Sequence, residues 1–293
     1  MTLIAIPNLS EGRDTDKVGR LSDAVESAGA HVLDIHSDAV HNRSVVTVAG
    51  ASATLPDAMA ALAEATTEID LTRHRGVHPR LGALDVCPIV PHNSEIDDAI
   101  RTARATGFRI VERANVPVYF YGAAATRPET RALPSLRRGG LSALAKRALT
   151  DLPPDLGSPE IDLSRGVVCV GARDVLIAFN VWLHSEKVVA TAIARRIRSS
   201  GGGPPGIRAL AFQIDDSPTS QVSMNLVRPS VTGIDDAFEA VAAAATEVGA
   251  TLVATEIVGL VPRRFLPNPD ARATRLLIKP GRSLESALIE KLP

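Results

Sequence analysis

The sequence predicts an α+β fold of two ferredoxin-like (β-α-β-β-α-β) α/β sandwich subdomains, residues 1–172 and 173–293. Three observations carry that expectation. Apolar residues make up 45% of the 293 positions and aromatics only 3%, so a sizeable core must be built from Ala, Val, Leu and Ile. Stretches with apolar residues on alternate positions take turns with stretches at helical spacing. The resulting order, strand–helix–strand–strand–helix–strand, occurs once in each half, which is the split βαβ pattern.

In the first half, residues 3–6 read as a strand and "PNLSEGRD" as a loop. Asp14 then caps a helix running to about Ser27, with Val18, Leu21, Ala24 and Val25 on one face. "HVLDI" and "RSVVTVAG" read as strands, and "LPDAMAALAEAT" as a helix that tolerates Pro56 in its first turn. "GALDVCPIVP" is a buried strand ending at proline; Ser94 and Asp97 open a helix through about Arg113; "VPVYFYG" is a further strand. Residues 126–165, rich in Pro, Gly and charge, read as a long functional loop or a connection between the halves, with one helical stretch near 140–149. The second half opens with "RDVLIAFNVWL" as one long strand, then a helix from Ser185 to Ser199 closed by "SSGGGPPG". "IRALAFQI" and "TSQVSMNLV" are strands, Asp235–Val248 a helix, "ATLVATEIVGLVP" a strand, and Leu284–Leu292 a last helix. Helices are expected on one side of each sheet.

A formal net charge of -1 argues against a nucleic-acid binder, which needs a basic excess. Cys87 and Cys169 sit in apolar runs and read as small core residues, pointing to a reducing compartment. "MTLIAIPNLSEGR" lacks a basic leader and its apolar run is too short to span a membrane. A cytoplasmic protein without a membrane partner is expected.

The densest chemistry is "HRGVHPRLGALDVCP", residues 74–88. His74 and His78 have the spacing that holds zinc on a helix, but Gly76 separates them and Pro79 biases His78 toward extended backbone, so no metal is expected. What remains is a loop that delivers His78 and Arg80 to a sheet edge. Imidazole takes and gives a proton near neutral pH, so His78 suits acid–base work and a rate that varies between about pH 5 and 8. "SDAVHNRS" reads either as a polar turn or as an anion-binding patch built on Asp38, His41, Asn42 and Arg43. "PNLSEGR", with Asn8, Ser10, Glu11 and Arg13, reads either as a helix-capping loop or as part of that site. Gln221, Ser223 and Asn225 alternate along one strand and make either a polar lining or a solvated face. No nucleophile elbow, P-loop or dinucleotide fingerprint stands in a strand–helix context.

Together "PNLSEGR", "DAVHNRSVVTVAG", "HRGVHPRLGALDVCPIVP", "VPVYFYG", "VGARDVLIAFNVWL", "QVSMNL" and "IVGLVP" resemble the formiminotransferase family, from about residue 3 to near the C-terminus. The resemblance implies two subdomains with a ligand cleft between them, a homodimer, and tetrahydrofolate as co-substrate. The small-molecule substrates would be the folate and an N-formimino amino acid: a formimino group passes from N-formimino-L-glutamate to N5 of tetrahydrofolate. His78 matches the family's catalytic histidine. Arg43 and Arg80, with Asn8 and Asn42, are the candidates to bind substrate. A folate-binding segment matches Gly157, Ser158, Pro159, Glu160, Ile161, Asp162, Leu163, Ser164, Arg165 and Gly166. The family commonly reads D-x-D before its N-R pair. Here the segment is Asp34-Ile35-His36, which makes His36 and the nearby Asp38 the candidate partners of His78. The Glu that precedes the histidine in animal members is Val77, and their G-E-A-A is Gly122-Ala123-Ala124-Ala125. Alternatives are a folate enzyme with another one-carbon donor or acceptor, such as 5-formyltetrahydrofolate, and a non-catalytic folate-binding protein.

Overall fold

The structure, a computed structural model, describes residues 2–214 and 218–292. The chain divides into two compact units, residues 1–174 and 175–293.

In the first unit β1 (Thr2–Ala5) and β2 (Asn8–Leu9) are two parts of one extended run. The break falls at Pro7, which has no N–H to give to a ladder. Its carbonyl instead accepts from Val46 N at 3.0 Å, while Ile6 N donates to the Pro88 carbonyl at 3.0 Å. Asp14 caps α1 (Thr15–Ser27), its carboxylate accepting from Lys17 N at 2.9 Å, and the helix buries Val18, Leu21 and Val25 as its spacing requires. β3 (His31–Asp38) and β4 (Arg43–Ala51) form an antiparallel pair. α2 (Leu55–Ala65) returns the chain to β5 (Leu84–His92). Both β1 and β2 lie between β4 and β5, so the order here is β3, β4, β1 with β2, then β5.

Beyond β5 the sheet departs from the expected pattern. α3 (Ile96–Ala114) crosses to β6 (Val118–Gly122), and β7 (Val168–Ala172) inserts between β5 and β6, parallel to both. The strand expected over 173–183 starts only at Ile177: β7 ends at Ala172, and β8 (Ile177–His184) is the first strand of the second unit. At the start of α3 the reciprocal partner is not Ser94 with Asp97; Glu95 N donates to the Asp98 carboxylate at 3.3 Å. The segment 126–165 also holds more helix than expected, with α4 (Leu133–Leu136) ahead of α5 (Gly140–Ala148). Leu136 and Leu144 from these helices pack with Tyr119, Tyr121 and Cys169, whereas Phe120, Val168 and Val170 face the core under α1–α3. Strand alternation explains it: β6 and β7 are apolar on both faces and so need cover on both. Helices on one side only is thus corrected for this end of the sheet. Cys87 and Cys169 are free and buried, and burial pushes both thiols up, Cys87 to about 12.

The second unit runs β8, α6 (Lys187–Ile197), β9 (Ile207–Ile214), β10 (Thr219–Leu226), α7 (Ile234–Glu247) and β11 (Thr251–Val258). Its antiparallel sheet is ordered β11, β8, β10, β9. The short α8 (Arg272–Arg275) and α9 (Leu284–Lys291) close the described chain. Val222, Met224 and Leu226 enter the core with Phe179 and Phe238. Of the alternating polar residues Gln221 is fully buried, Ser223 half-buried and Asn225 exposed, so the face is neither uniformly lining nor uniformly solvated.

The antiparallel order places chemistry at one end of the first sheet. The C-terminal ends of β2 and β3 and the N-terminal ends of β4 and β5 lie together there, through the pairs Leu9↔Ser44, Leu9↔Leu84 and Asp38↔Arg43. The loops that carry the sequence-predicted polar clusters leave from those ends.

Candidate active site

The loop after β2 is fastened first. Ser10 N donates to the Ala83 carbonyl at 2.8 Å and Ser10 Oγ to the Gly82 carbonyl at 2.7 Å. Glu11 Oε1 accepts from the N–H groups of Gly12, Arg13 and Asp14 at 3.0, 3.0 and 3.1 Å, and Lys17 Nζ lies 3.1 Å from Oε2. Burial opposes ionisation of Glu11, but these donors outweigh it and hold the carboxyl below its usual range. Ser10 and Glu11 therefore serve as scaffold.

Under the loops lies a charge in an otherwise apolar strand. Asp85, the second residue of β5, is fully buried. Its Oδ2 accepts from Arg43 Nη1 at 2.7 Å and Arg137 Nη2 at 2.5 Å, and its Oδ1 accepts from Leu81 N at 2.7 Å. Burial works against the carboxylate, yet Arg137, Arg43 and the Leu81 N–H prevail and hold it at about 2. The rest of the Arg43 fork is engaged by Asn8 Oδ1, at 3.1 Å from Nε and 2.8 Å from Nη2. Arg43 and Asn8 are thus committed to one another and to Asp85.

His78 lies on the non-helical loop between α2 and β5, half-buried. Its Nδ1 is 2.7 Å from the Pro79 carbonyl, which can only accept, so Nδ1 carries the proton and Nε2 the lone pair. Removal of the ring from water, together with the positive charges of Arg43 and Arg137, holds its pKa well below the ordinary histidine value; Asp85 and the Pro79 carbonyl act in the opposite direction. The imidazole is therefore neutral and basic at Nε2 at neutral pH. Arg80 fixes this loop to the β3–β4 turn. Its Nη2 donates to the His78 carbonyl at 2.6 Å and the His41 carbonyl at 3.2 Å, and its Nη1 rests against the His74 ring. Burial, with repulsion from Arg43, lowers Arg80 to about 10. A Cβ at Gly76 would lie 2.3 Å from the His41 carbonyl oxygen, so the approach of these two loops requires glycine there.

On the β3–β4 turn, Asp38 Oδ1 accepts from His41 N at 2.8 Å, and Asp38 Oδ2 lies 3.9 Å from His41 Nε2. The buried His41 ring stands 5.9 Å, centroid to centroid, from the His78 ring at an interplanar angle of 60°. Asn42 holds a left-handed φ of 47°, accepts from Gly12 N at 3.0 Å and donates to the Arg75 carbonyl at 2.9 Å. Asn42 thus joins three loops. His36 lies two residues before Asp38 in β3, opposite Val45.

The segment from Gly157 to Gly166 runs back to the same end of the sheet. Most of it is exposed, Ser158, Pro159, Glu160, Asp162 and Leu163 included. Its far end is clamped beside the His78 loop: Leu71 N donates to the Ser164 carbonyl at 2.8 Å and Ala83 N to the Arg165 carbonyl at 2.9 Å. Gly82 and Gly166 pair at the clamp, where a Cβ on either would lie 2.0 Å from a carbonyl oxygen, of Val167 or Leu81 respectively. The strap is thus fastened at its 164–166 end to the two ends of the loop that carries His78 and Arg80. Among the described residues, no group of three or more His, Cys, Asp or Glu side chains is arranged to hold a metal ion.

Sequence reasoning missed Asp85 and Arg137 as site residues and did not single out His41 from its polar turn. A lone carboxylate inside "GALDVCPIVP" was a usable signal for Asp85. Nothing local marks Arg137, whose partner is 52 residues away.

Comparison with known proteins agrees across the chain. The family described as the formiminotransferase domain, N-terminal subdomain, matches residues 2–173, and the formiminotransferase domain matches residues 178–271. A glutamate formimidoyltransferase of Thermoplasma acidophilum is 39% identical over 274 residues, covering 91% of this chain and 90% of that protein. One from Streptococcus pyogenes is 36% identical over 266 residues, covering 89% of each. A formimidoyltransferase-cyclodeaminase of Sus scrofa is 37% identical over 276 residues, covering 91% of this chain and 51% of that longer protein. With both subdomains matched and two relatives aligned over nearly their whole length, the chain belongs to the formiminotransferase family.

Proposed function

We propose that this protein is an enzyme that transfers the formimino group of N-formimino-L-glutamate to N5 of its co-substrate tetrahydrofolate, with His78 as general acid–base. One observation carries the role of His78: its Nδ1 is tied to the Pro79 carbonyl, which leaves the lone pair on Nε2. His78 Nε2 takes the proton from N5 as that nitrogen attacks the formimino carbon and a tetrahedral intermediate forms. The same proton, returned from His78 to the glutamate nitrogen, lets the old C–N bond break and glutamate leave. Proton transfer of this kind contributes roughly 10²–10⁴-fold in rate. The 157–166 segment is our candidate for holding the folate. The same reading carries a homodimeric, cytoplasmic enzyme of two ferredoxin-like subdomains, residues 1–172 and 173–293.

Purified protein given both substrates is expected to release glutamate in a reaction that requires tetrahydrofolate. No release, with tetrahydrofolate bound in calorimetry, would replace this reading with another one-carbon donor. Binding without turnover of any donor would indicate a folate-binding protein.

Arg80→Lys tests a finer point. Because the guanidinium spans the carbonyls of His78 and His41, its loss is expected to misplace His78 and lower kcat roughly ten- to a hundredfold. KM should change little. A rise confined to KM would make Arg80 a carboxylate ligand, as its sequence context alone suggests.

A further inference from the structure

When His78 takes up a proton, it becomes a cation among Arg43 from β4, Arg137 from the turn after α4 and Arg80 from its own loop. Asp85 is the carboxylate beneath it, but that charge is already shared between two guanidinium groups at 2.7 and 2.5 Å. A second carboxylate stands behind the turn. Asp38 is about a quarter exposed, and its Oδ2 faces Nε2 of the buried His41 at 3.9 Å. The same His41 ring stands 5.9 Å, centroid to centroid, from the His78 ring. Arg80 donates to the carbonyls of both histidines, so their spacing is held by one rigid fork. Gly76 lets the two loops approach this closely, since a Cβ there would lie 2.3 Å from the His41 carbonyl oxygen.

We propose that Asp38 and His41 form a positioning pair for His78: Asp38, acting through the His41 ring, is the counter-charge that stabilises protonated His78 in the transition state. No bond is made or broken at either residue. With its proton on Nε2, toward Asp38, the His41 ring keeps its lone pair on Nδ1. The pair rests on the reading of His78 as proton carrier, and it assigns this role to a carboxylate two residues beyond His36.

A double-variant cycle tests the pair. Asp38→Asn keeps an oxygen for the His41 N–H and removes only the charge. His41→Phe keeps a ring and removes only its nitrogens. Each is expected to lower kcat for glutamate release about tenfold with KM within about twofold. The two together should lose no more than His41→Phe alone, because one residue acts through the other. Histidine-ring NMR on the same proteins gives a readout independent of turnover: the His78 midpoint should fall in both Asp38→Asn and His41→Phe, because each removes part of the counter-charge. Unchanged kcat in both variants, losses that multiply in the double variant, or a His78 midpoint unmoved in both would each overturn the pair. If the unaltered protein releases no glutamate while the His78 midpoint falls in both variants, the substrate reading fails and the pair stands.

Discussion

Replacing Asp85 by alanine is expected to destabilise the first unit by about 3–5 kcal/mol, the cost of removing one partner from a buried ion pair. The argument is one of leftover charge. Arg43 is buried and Arg137 mostly so, and both point at the missing carboxylate. The Leu81 N–H also loses its acceptor. Asp85→Asn keeps an oxygen for Leu81 but leaves both guanidinium groups uncompensated, so it should fall nearly as far. Urea unfolding followed by circular dichroism measures the loss. The pH dependence has a definite sign. The folded carboxyl is held at about 2 against an ordinary value of 3.8. Its contribution is therefore complete above about pH 4 and disappears as pH falls through about 2. In Asp85→Asn that acid-dependent component should vanish. A variant as stable as the parent would mean that the arginines find other partners and that Asp85 is not the anchor of the site.

His78→Gln is expected to lower kcat by roughly 10²–10⁴ without changing the midpoint of unfolding. The side chain is only half-buried, so little core packing depends on it. Glutamine retains a donor for that carbonyl and cannot carry a proton. The parent's pH profile is the companion measurement. Burial and the two neighbouring arginines push the His78 pKa well below 6.5. The basic form is then populated throughout the neutral range, and kcat/KM should fall only as pH drops well below 6.5. That differs from an optimum set by a free imidazole between about pH 5 and 8. The difference arises from burial of the ring and from Arg43 and Arg137, whose closeness to His78 no local pattern in the sequence discloses.

Much of the fold was legible because it rests on local rules. The Asp14 cap of α1, Pro56 at the head of α2 and the alternation in β10 each follow from the residues in place. β7 was not separable. "GVVCVGA" is apolar on both faces, as a buried parallel strand must be, and it runs on through Arg173 and Asp174 into another apolar stretch. The site divides in the same way. Proline and glycine around His78 marked a fixed loop, and the structure has one. Whether Arg43 meets a ligand or an internal carboxylate is not written in its neighbours. That question is decided by Asp85, 42 residues away. The sequence left the Asp38–His41 segment open between a polar turn and a site patch; it does close a turn, and the distance from His41 to the His78 ring is what suggests a second task for the pair.

The central claim is that this chain moves a formimino group to tetrahydrofolate with His78 carrying the proton. It is tested most directly by glutamate release from N-formimino-L-glutamate, measured with and without tetrahydrofolate for the parent and His78→Gln. The account predicts release that needs the folate and falls at least roughly a hundredfold in the variant. Release unchanged in His78→Gln would contradict it.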